Sequence, residues 1–273
     1  MTDNQRQKNR SDRAISEAIG FIIIFGIIIA GIGLVTLYGY PMLLQQQSTS
    51  NEQIMEKNMI VLQNDLKSLA YKTVPYSETS LSVGGGALMA YNMSNSTNNA
   101  KFTIGDGNNK ICNNDGTCPL TFYPGDLWYE STDAQTELSL ENGAVVKRML
   151  AENGSAMLAE PRWFYDSQTN TAVIYLIGFN TSTSDVMAQT GVGTVRMALA
   201  QTNYTIYNTL PPGDRVTVTY TPNATADYSM AWDNYFATTL GMSSQGSGQY
   251  QFPSASSPPT VVIYQYQIMI ESV

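Results

Sequence analysis

Hydrophobic residues are concentrated in one long run near the beginning of the chain. Residues 18–37, AIGFIIIFGIIIAGIGLVTL, contain no charged side chain. At about 1.5 Å per residue, a helix of this length crosses the roughly 30 Å hydrocarbon core of a bilayer. The run therefore predicts a membrane-inserted helix. Gly39-Tyr40-Pro41 follows it directly and predicts a kink or break, because proline disrupts a helix interior.

A second helical pattern begins beyond this proline. Apolar residues recur there at spacings of 4, 3, 4 and 3 on an otherwise polar segment, which is a heptad seam. The seam predicts an amphipathic helix that lies either against the chain's own globular domain or against a neighbouring helix. Val74-Pro75 ends it, because a residue before proline avoids the α region. The seam residues are Met55, Met59, Leu62, Leu66 and Leu69.

From Thr79 onward the helical periodicity fades. Val, Ile, Thr and Tyr now concentrate between Gly, Asn and Pro residues, which is typical of short strands and turns. We predict strands over 81–91, 136–141, 144–150, 155–160, 171–179, 192–207, 214–221 and 260–271.

Local details refine this prediction. In the last strand, Tyr264, Tyr266, Ile268 and Ile270 alternate with polar residues, so they should share one face of a half-buried strand. Asn-Gly turns at 142–143 and 153–154 predict a meander, in which the strand between them pairs on both sides. Three consecutive glycines at 84–86 predict a bulge or a close packing contact.

One helix is predicted among the strands, near residues 227–240. Its aromatic residues recur at helical spacing, Asp227 can cap its beginning and Gly241 its end. Residues 241–259, rich in Gly and Ser, predict a long flexible loop.

The predicted fold class is therefore α+β. A long kinked N-terminal helix spans 15–74, with a membrane or core half at 15–40 and an amphipathic half at 45–72. A β-rich, sandwich-like domain follows at 79–273, and its size is ample for one domain.

Charge predicts the direction of insertion. The tail before the apolar run carries four basic residues, Arg6, Lys8, Arg10 and Arg13, and the next basic residue is Lys57. Positive charge is retained on the cytoplasmic side, so the N-terminus should be inside and the rest of the chain extracytoplasmic. The net charge of −8 argues against nucleic-acid binding, which needs a basic face.

The junction between tail and apolar run reads Arg13-Ala14-Ile15-Ser16-Glu17-Ala18-Ile19-Gly20. A charged and a small residue just ahead of an uncleaved hydrophobic segment resemble the class III signal of archaeal type IV pilin-like proteins with an R-A-[IV]-S-x-x-I-G start. The resemblance covers residues 13 to about 40. It implies that prepilin peptidase cuts between Ala14 and Ile15, so that residues 1–14 are a cytoplasmic leader.

The same resemblance implies subunit assembly through Glu17, Phe21 and Phe25. Many type IV pilins carry the early Glu at the fifth mature position, whereas Glu17 would be the third. Glu17 can therefore either neutralise a neighbouring subunit's N-terminal amine or simply favour the helix N-terminus as an acid. Implied partners are copies of the chain or related pilins, prepilin peptidase, the pilus assembly machinery and the membrane.

The two cysteines, Cys112 and Cys118, flank an Asn-Asp-Gly turn. A disulfide there fits an extracytoplasmic domain. A metal site fits less well, because the chain has no histidine and no further cysteine. Asn-x-Ser/Thr sequons on the predicted outer side allow N-glycosylation. They lie at Asn92, Asn95, Asn153, Asn180, Asn203 and Asn223.

No sequence motif supports an enzyme or a cofactor. The absence of histidine excludes Ser-His-Asp and Cys-His arrangements, and no phosphate-binding or dinucleotide fingerprint occurs. We therefore expect a structural subunit of an extracellular, type IV pilus-like filament, inserted in the membrane before assembly. Two alternatives remain: an uncleaved single-pass anchored surface protein whose β-domain binds a partner or carbohydrate, and a minor or priming pilin.

Overall fold

The structure is a computed structural model of the chain. It describes residues 3–72, 74–94, 99–132, 136–152, 154–183, 186–207, 210–253 and 258–273, with side chains from residue 19 onward. The chain divides into two compact units, residues 1–50 and 51–273.

The first unit is helical. Helix α1 spans Asp3–Leu34, a π-helical turn spans Val35–Gly39, and helix α2, Tyr40–Tyr71, begins in this unit. The backbone stays in the right-handed helical region through Tyr40, whose N–H donates to the carbonyl of Val35. Of the kink or break predicted at Gly39-Tyr40-Pro41, the break therefore does not occur, and the kink stays a prediction. Instead, the helix widens into one π-helical turn just ahead of Pro41.

The second unit contains the remainder of α2 and a β-rich domain. In the part of the chain that the structure describes, its strands are β1 Tyr76–Tyr91, β2 Lys101–Gly105, β3 Leu120–Phe122, β4 Asp126–Ser131, β5 Thr136–Glu141, β6 Ala144–Met149, β7 Ser155–Ala159, β8 Phe164–Asp166, β9 Thr171–Thr181, β10 Met187–Tyr207, β11 Thr217–Thr221, β12 Ser243–Gly246, β13 Gln249–Gln251 and β14 Thr260–Ser272.

These strands form two sheets. The larger has the order β7-β6-β5-β4-β1-β10-β14-β9-β8, and the smaller has the order β12-β13-β11-β2-β3. Strands β14 and β9 pair in parallel, whereas the other described pairings are antiparallel. Strand β6 pairs with both β5 and β7, which confirms the predicted meander.

The glycines at 84–86 lie in a bulge of β1, as predicted. The register of β1 against β10 shifts between Val83 and Leu88, and Gly85 has a φ of +66°. A Cβ on Gly86 would collide with the backbone oxygen of Glu130, so the close approach of β4 also requires glycine there.

An apolar cluster lies on each face of the larger sheet. One face packs against α2, whose seam residues Met55, Met59, Leu62, Leu66 and Leu69 are fully buried in a cluster with Leu88, Leu140 and Ile268. The seam therefore lies against its own domain, which resolves the two possibilities left by the sequence.

Polar contacts join α2 to the same sheet. The buried Gln63 amide donates to the carbonyls of Gly143 at 2.7 Å and Glu160 at 3.0 Å. Lys147 of β6 pairs with Glu52 and with Glu56 of α2.

The other face of the larger sheet packs against the smaller sheet and a short helix. Phe102 and Val218 of the smaller sheet share one apolar cluster with Ile174 and Ile263 of the larger. Along β14, Val261 and Ile263 enter this cluster, whereas Tyr266, Ile268 and Ile270 enter the helix-side cluster, with Tyr264 packed against it. This confirms the predicted alternation and the α+β fold class.

The short helix α3 spans Ser229–Asn234 and continues as a π-helical turn, Tyr235–Thr239. Its N-cap residue is Tyr228 rather than Asp227, but the Asp227 carboxylate accepts the Ser229 N–H at 2.8 Å. Gly241, with a φ of +62°, follows its end.

The loop predicted over 241–259 is wrong for its first half. Strands β12 and β13 form a hairpin there, and β13 pairs with β11. Tyr250 and Phe252 are buried, so two aromatic side chains hold this Gly- and Ser-rich segment on the core. Residues 254–257 lie outside the described part of the chain.

Candidate functional site

The first unit exposes an apolar surface on every side of its helix. The large hydrophobic residues between Ile19 and Leu44 are 47 to 72% exposed. Successive helical residues point about 100° apart, so a run of apolar residues without a polar stripe covers the whole circumference. An apolar surface of this extent is unfavourable in water. The helical segment Ile19–Tyr71 is long and apolar enough, by length and composition, to cross a membrane.

Two features of this helix surface bear on helix contacts. Phe21 and Phe25 lie one turn apart, with stacked ring centroids 6.0 Å apart, and they are 70% and 53% exposed. At each of the glycines in the run, an added Cβ would meet nothing within 4 Å. Packing inside the chain therefore does not require glycine at these positions, which are Gly20, Gly26, Gly31 and Gly33. In membranes, small residues of this kind let helices approach closely.

The predicted processing site lies within α1. Arg13, Ala14, Ile15 and the nearby Glu17 are all in its helical backbone. Their side chains lie outside the described part of the chain.

The predicted disulfide is present. Cys112 and Cys118 are bonded, with their Cα atoms 4.3 Å apart. Backbone hydrogen bonds from Asn113 to Thr117 and from Leu120 to Ile111 close the same loop.

Four of the six candidate glycosylation sites lie in the described part of the chain, on different elements of the domain. Asn180 lies in β9 and donates to Gln267 at 3.4 Å, Asn203 lies in β10, and Asn92 donates to Thr181 at 3.3 Å. Asn223 lies in the loop after β11, where its side-chain oxygen accepts the N–H of Thr225. Asn95 and Asn153 lie outside the described residues.

The second unit contains a buried acidic group that the sequence did not predict. Asp126 and Glu141 are paired residues of neighbouring strands β4 and β5, and they are 8% and 2% exposed. Burial raises the pKa of Asp126 to about 7, whereas a hydrogen bond from Ser139 at 3.0 Å lowers it. Burial, and then the charge of Asp126, raises the pKa of Glu141 to about 8.

The surroundings of this acidic group are aromatic. The Trp232 indole N–H donates to Glu141 at 2.8 Å, and the buried Tyr220 lies beside the same carboxyl. Glu137 lies on the same strand and pairs with Arg148 at 3.3 Å. Among the described residues, no group of three or more His, Cys, Asp or Glu side chains could hold a metal ion.

The sequence carried little signal for this group. Asp126 begins a strand that the residue pattern did not reveal, and Glu141 precedes a tight turn, where an acid is ordinarily exposed. The pairing register of β4 with β5 brings them together.

Comparison with known proteins places both units in one family. A family model described as "Family of unknown function (DUF7289)" matches residues 13–271. Neither a curated protein nor a solved structure matches the chain.

Proposed function

We propose that this chain, which belongs to the DUF7289 family, is a structural subunit of an extracellular, type IV pilus-like filament that assembles through its N-terminal helix. The observation that carries the proposal is the apolar surface around the whole helix between Ile19 and Leu44. Burial of one large apolar side chain is worth about 1.5–3 kcal/mol, so leaving this surface in water is strongly unfavourable. Lipid covers it before assembly, and the helices of other subunits cover it in the filament core.

The domain's own packing leaves assembly to the first unit. Leu62 and the other seam residues of α2 are fully buried on the larger sheet. They are not available to another subunit while the domain is folded. In the proposed filament, the apolar run makes the helix contacts between subunits. Phe21, Phe25 and the four glycines are on the surface that makes these contacts.

The family match supports a common role for both units. It begins at Arg13, two positions before Ile15, where the mature chain would start, and it extends through the apolar helix to residue 271. The helix is thus part of the chain that the family shares, together with the β-rich domain.

Mass spectrometry of the mature N-terminus tests this proposal. We expect the wild-type protein to begin at Ile15, without residues 1–14. Arg13→Gln and Ala14→Leu should leave the leader attached, because both change the residues just ahead of the cut. Arg10→Gln removes the same charge elsewhere in the tail and should leave cleavage unchanged. An intact leader on the wild-type protein would support the uncleaved surface anchor instead.

Electron microscopy of sheared surface filaments, with peptide identification, tests the structural role. The proposal expects peptides of this chain in purified filaments, and their abundance distinguishes a major subunit from a minor or priming one. Filaments that lack this chain, in cells that express and process it, would contradict the role.

A further inference from the structure

A small cavity lies above the buried acidic group, on the face of the larger sheet away from α2. Its volume is about 230 Å³. Strands β1 and β4 form one side, and the loop that follows β11 forms the other. The lining residues are Tyr91, Asp126, Trp128, Asn223, Thr225 and Ala226.

The floor of this cavity is an incompletely satisfied carboxylate. Asp126 is 8% exposed, and one of its oxygens accepts the Ser139 hydroxyl at 3.0 Å. Its other oxygen, Oδ1, has no hydrogen-bond partner in the part of the chain that the structure describes. A buried carboxylate oxygen without a donor is costly, so a ligand that supplies a donor would be stabilised there.

The walls are aromatic. The rings of Tyr91 and Trp128 have centroids 6.0 Å apart and are tilted by 55°. Both residues are only partly buried, and both line the cavity. The faces of such rings attract cations, most strongly when the cation has lost its hydration shell.

The local charge is negative once the pH exceeds the pKa of Asp126, about 7. Burial, and then negative charge on Asp126 and Glu130, raises the pKa of Tyr91. Glu141 is the cross-strand neighbour of Asp126, and the nearby Arg148 pairs with Glu137. An acidic floor between aromatic walls disfavours anions and selects a positively charged ligand.

We infer that this cavity is a binding site for a small primary ammonium ion, whose N–H groups would donate to Asp126 and whose charge would lie against Tyr91 and Trp128. A neutral alcohol or a sugar could donate to the same oxygen, but neither would compensate the negative charge. A quaternary ammonium ion would supply the charge without the N–H donor. The inference concerns the second unit and does not depend on filament assembly.

Isothermal titration calorimetry of the full chain tests this inference, in a neutral polyoxyethylene detergent and amine-free phosphate buffer at pH 8. The probe is n-butylammonium, with 1-butanol as its neutral analogue, tetramethylammonium as the cation without N–H, and galactose as the sugar. We expect saturable binding of n-butylammonium, and binding at least tenfold weaker for the other three.

Two variants locate the binding. Asp126→Asn should weaken n-butylammonium binding about 30-fold or more, because the cation loses its buried carboxylate partner. Glu130→Gln removes the same charge from an exposed position of the same strand and should change the affinity less than about threefold. If Asp126→Asn does not fold, the comparison among probes on the wild-type chain still decides the question.

The pH profile of the wild-type chain gives a further readout. Asp126 must be ionised to pair with the cation, and its pKa is raised to about 7. Affinity for n-butylammonium should therefore fall by up to about tenfold for each pH unit below that value. Glu141, Tyr91 and Tyr228 also face this carboxyl and titrate at higher pH. No saturable n-butylammonium binding, equal binding of 1-butanol, or preferential binding of galactose would each overturn the inference.

Discussion

At the scale of single residues, Asp126 and Glu141 are the least ordinary features of the domain. Acidic side chains are rarely this buried without a cationic partner. Here the donors are neutral, namely the Ser139 hydroxyl for Asp126 and the Trp232 indole for Glu141. Because burial disfavours the charged form, the folded domain holds protons on these carboxyls that an unfolded chain would release.

Stability should consequently fall as the pH rises. The folded pKa of Glu141, about 8, lies above its ordinary value of 4.5. Its contribution is fully present below pH 4.5 and is lost as the pH rises through 8. Glutamine does not titrate, so Glu141→Gln should remove this loss. The free energy of unfolding of the variant, relative to wild type, should therefore be higher at pH 9 than at pH 5 by on the order of 2–4 kcal/mol. Urea unfolding followed by tryptophan fluorescence measures the difference.

Glu130→Gln serves as the control for this experiment, because Glu130 is exposed on the neighbouring strand. Its unfolding free energy should follow that of the wild type at both pH values. A Glu141→Gln variant whose stability also follows the wild type would show that Glu141 is ionised in the folded domain.

At the scale of elements, helix α2 is exposed near its beginning and buried along one face further on. Its apolar residues near Tyr40 are exposed, whereas the seam from Met55 to Leu69 is buried on the larger sheet. Gln63 interrupts the apolar face but donates to carbonyls at the β5–β6 turn and beyond β7. This face of the helix therefore contacts the domain beneath it both through apolar packing and through the hydrogen bonds of Gln63.

A pair of adjacent residues tests this docking. Leu62 is fully buried, and Val61 is 46% exposed. Leu62→Ala should destabilise the domain by about 2–5 kcal/mol, because it removes apolar contacts and leaves a cavity. Val61→Ala should change stability by less than about 0.5 kcal/mol. Equal effects of the two substitutions in denaturant unfolding would mean that the seam does not carry the packing.

At the scale of the whole molecule, sidedness is the property on which the proposed function depends. The basic tail predicts an inside N-terminus, and the Cys112–Cys118 bond fits an oxidising compartment for the β-rich domain. Both observations support the same orientation across a membrane. They are independent, because the basic tail precedes the apolar run and the disulfide lies in the domain that follows it.

Peptide mapping of the natural protein tests this orientation. Cells are treated with a thiol-blocking reagent before lysis, and tryptic peptides are compared with and without reduction. Before reduction, we expect the peptide that carries Cys112 and Cys118 to contain their disulfide bond and no thiol label. As a control, complete reduction before labelling should modify both cysteines. Labelling of both without reduction would indicate that the domain lies in a reducing compartment.

Much of the fold could be predicted from local pattern. The apolar run is continuous, the heptad seam and β14 are periodic, and β9 and β10 are long segments rich in strand-forming residues. The missed strands are mostly short: β3, β8 and β13 have three residues each. Such strands are stabilised by pairing with neighbours distant in the sequence, so their own residues carry little signal.

By itself, the sequence determined where a helix would be apolar on every side, where a helix would have one buried face, and where strands would alternate, because these depend on spacing along the chain. Only the tertiary structure decided that the seam packs on its own domain, and that Asp126 and Glu141 are buried side by side under a cavity. Both outcomes depend on strand register and sheet order, which bring distant residues into one low-dielectric environment.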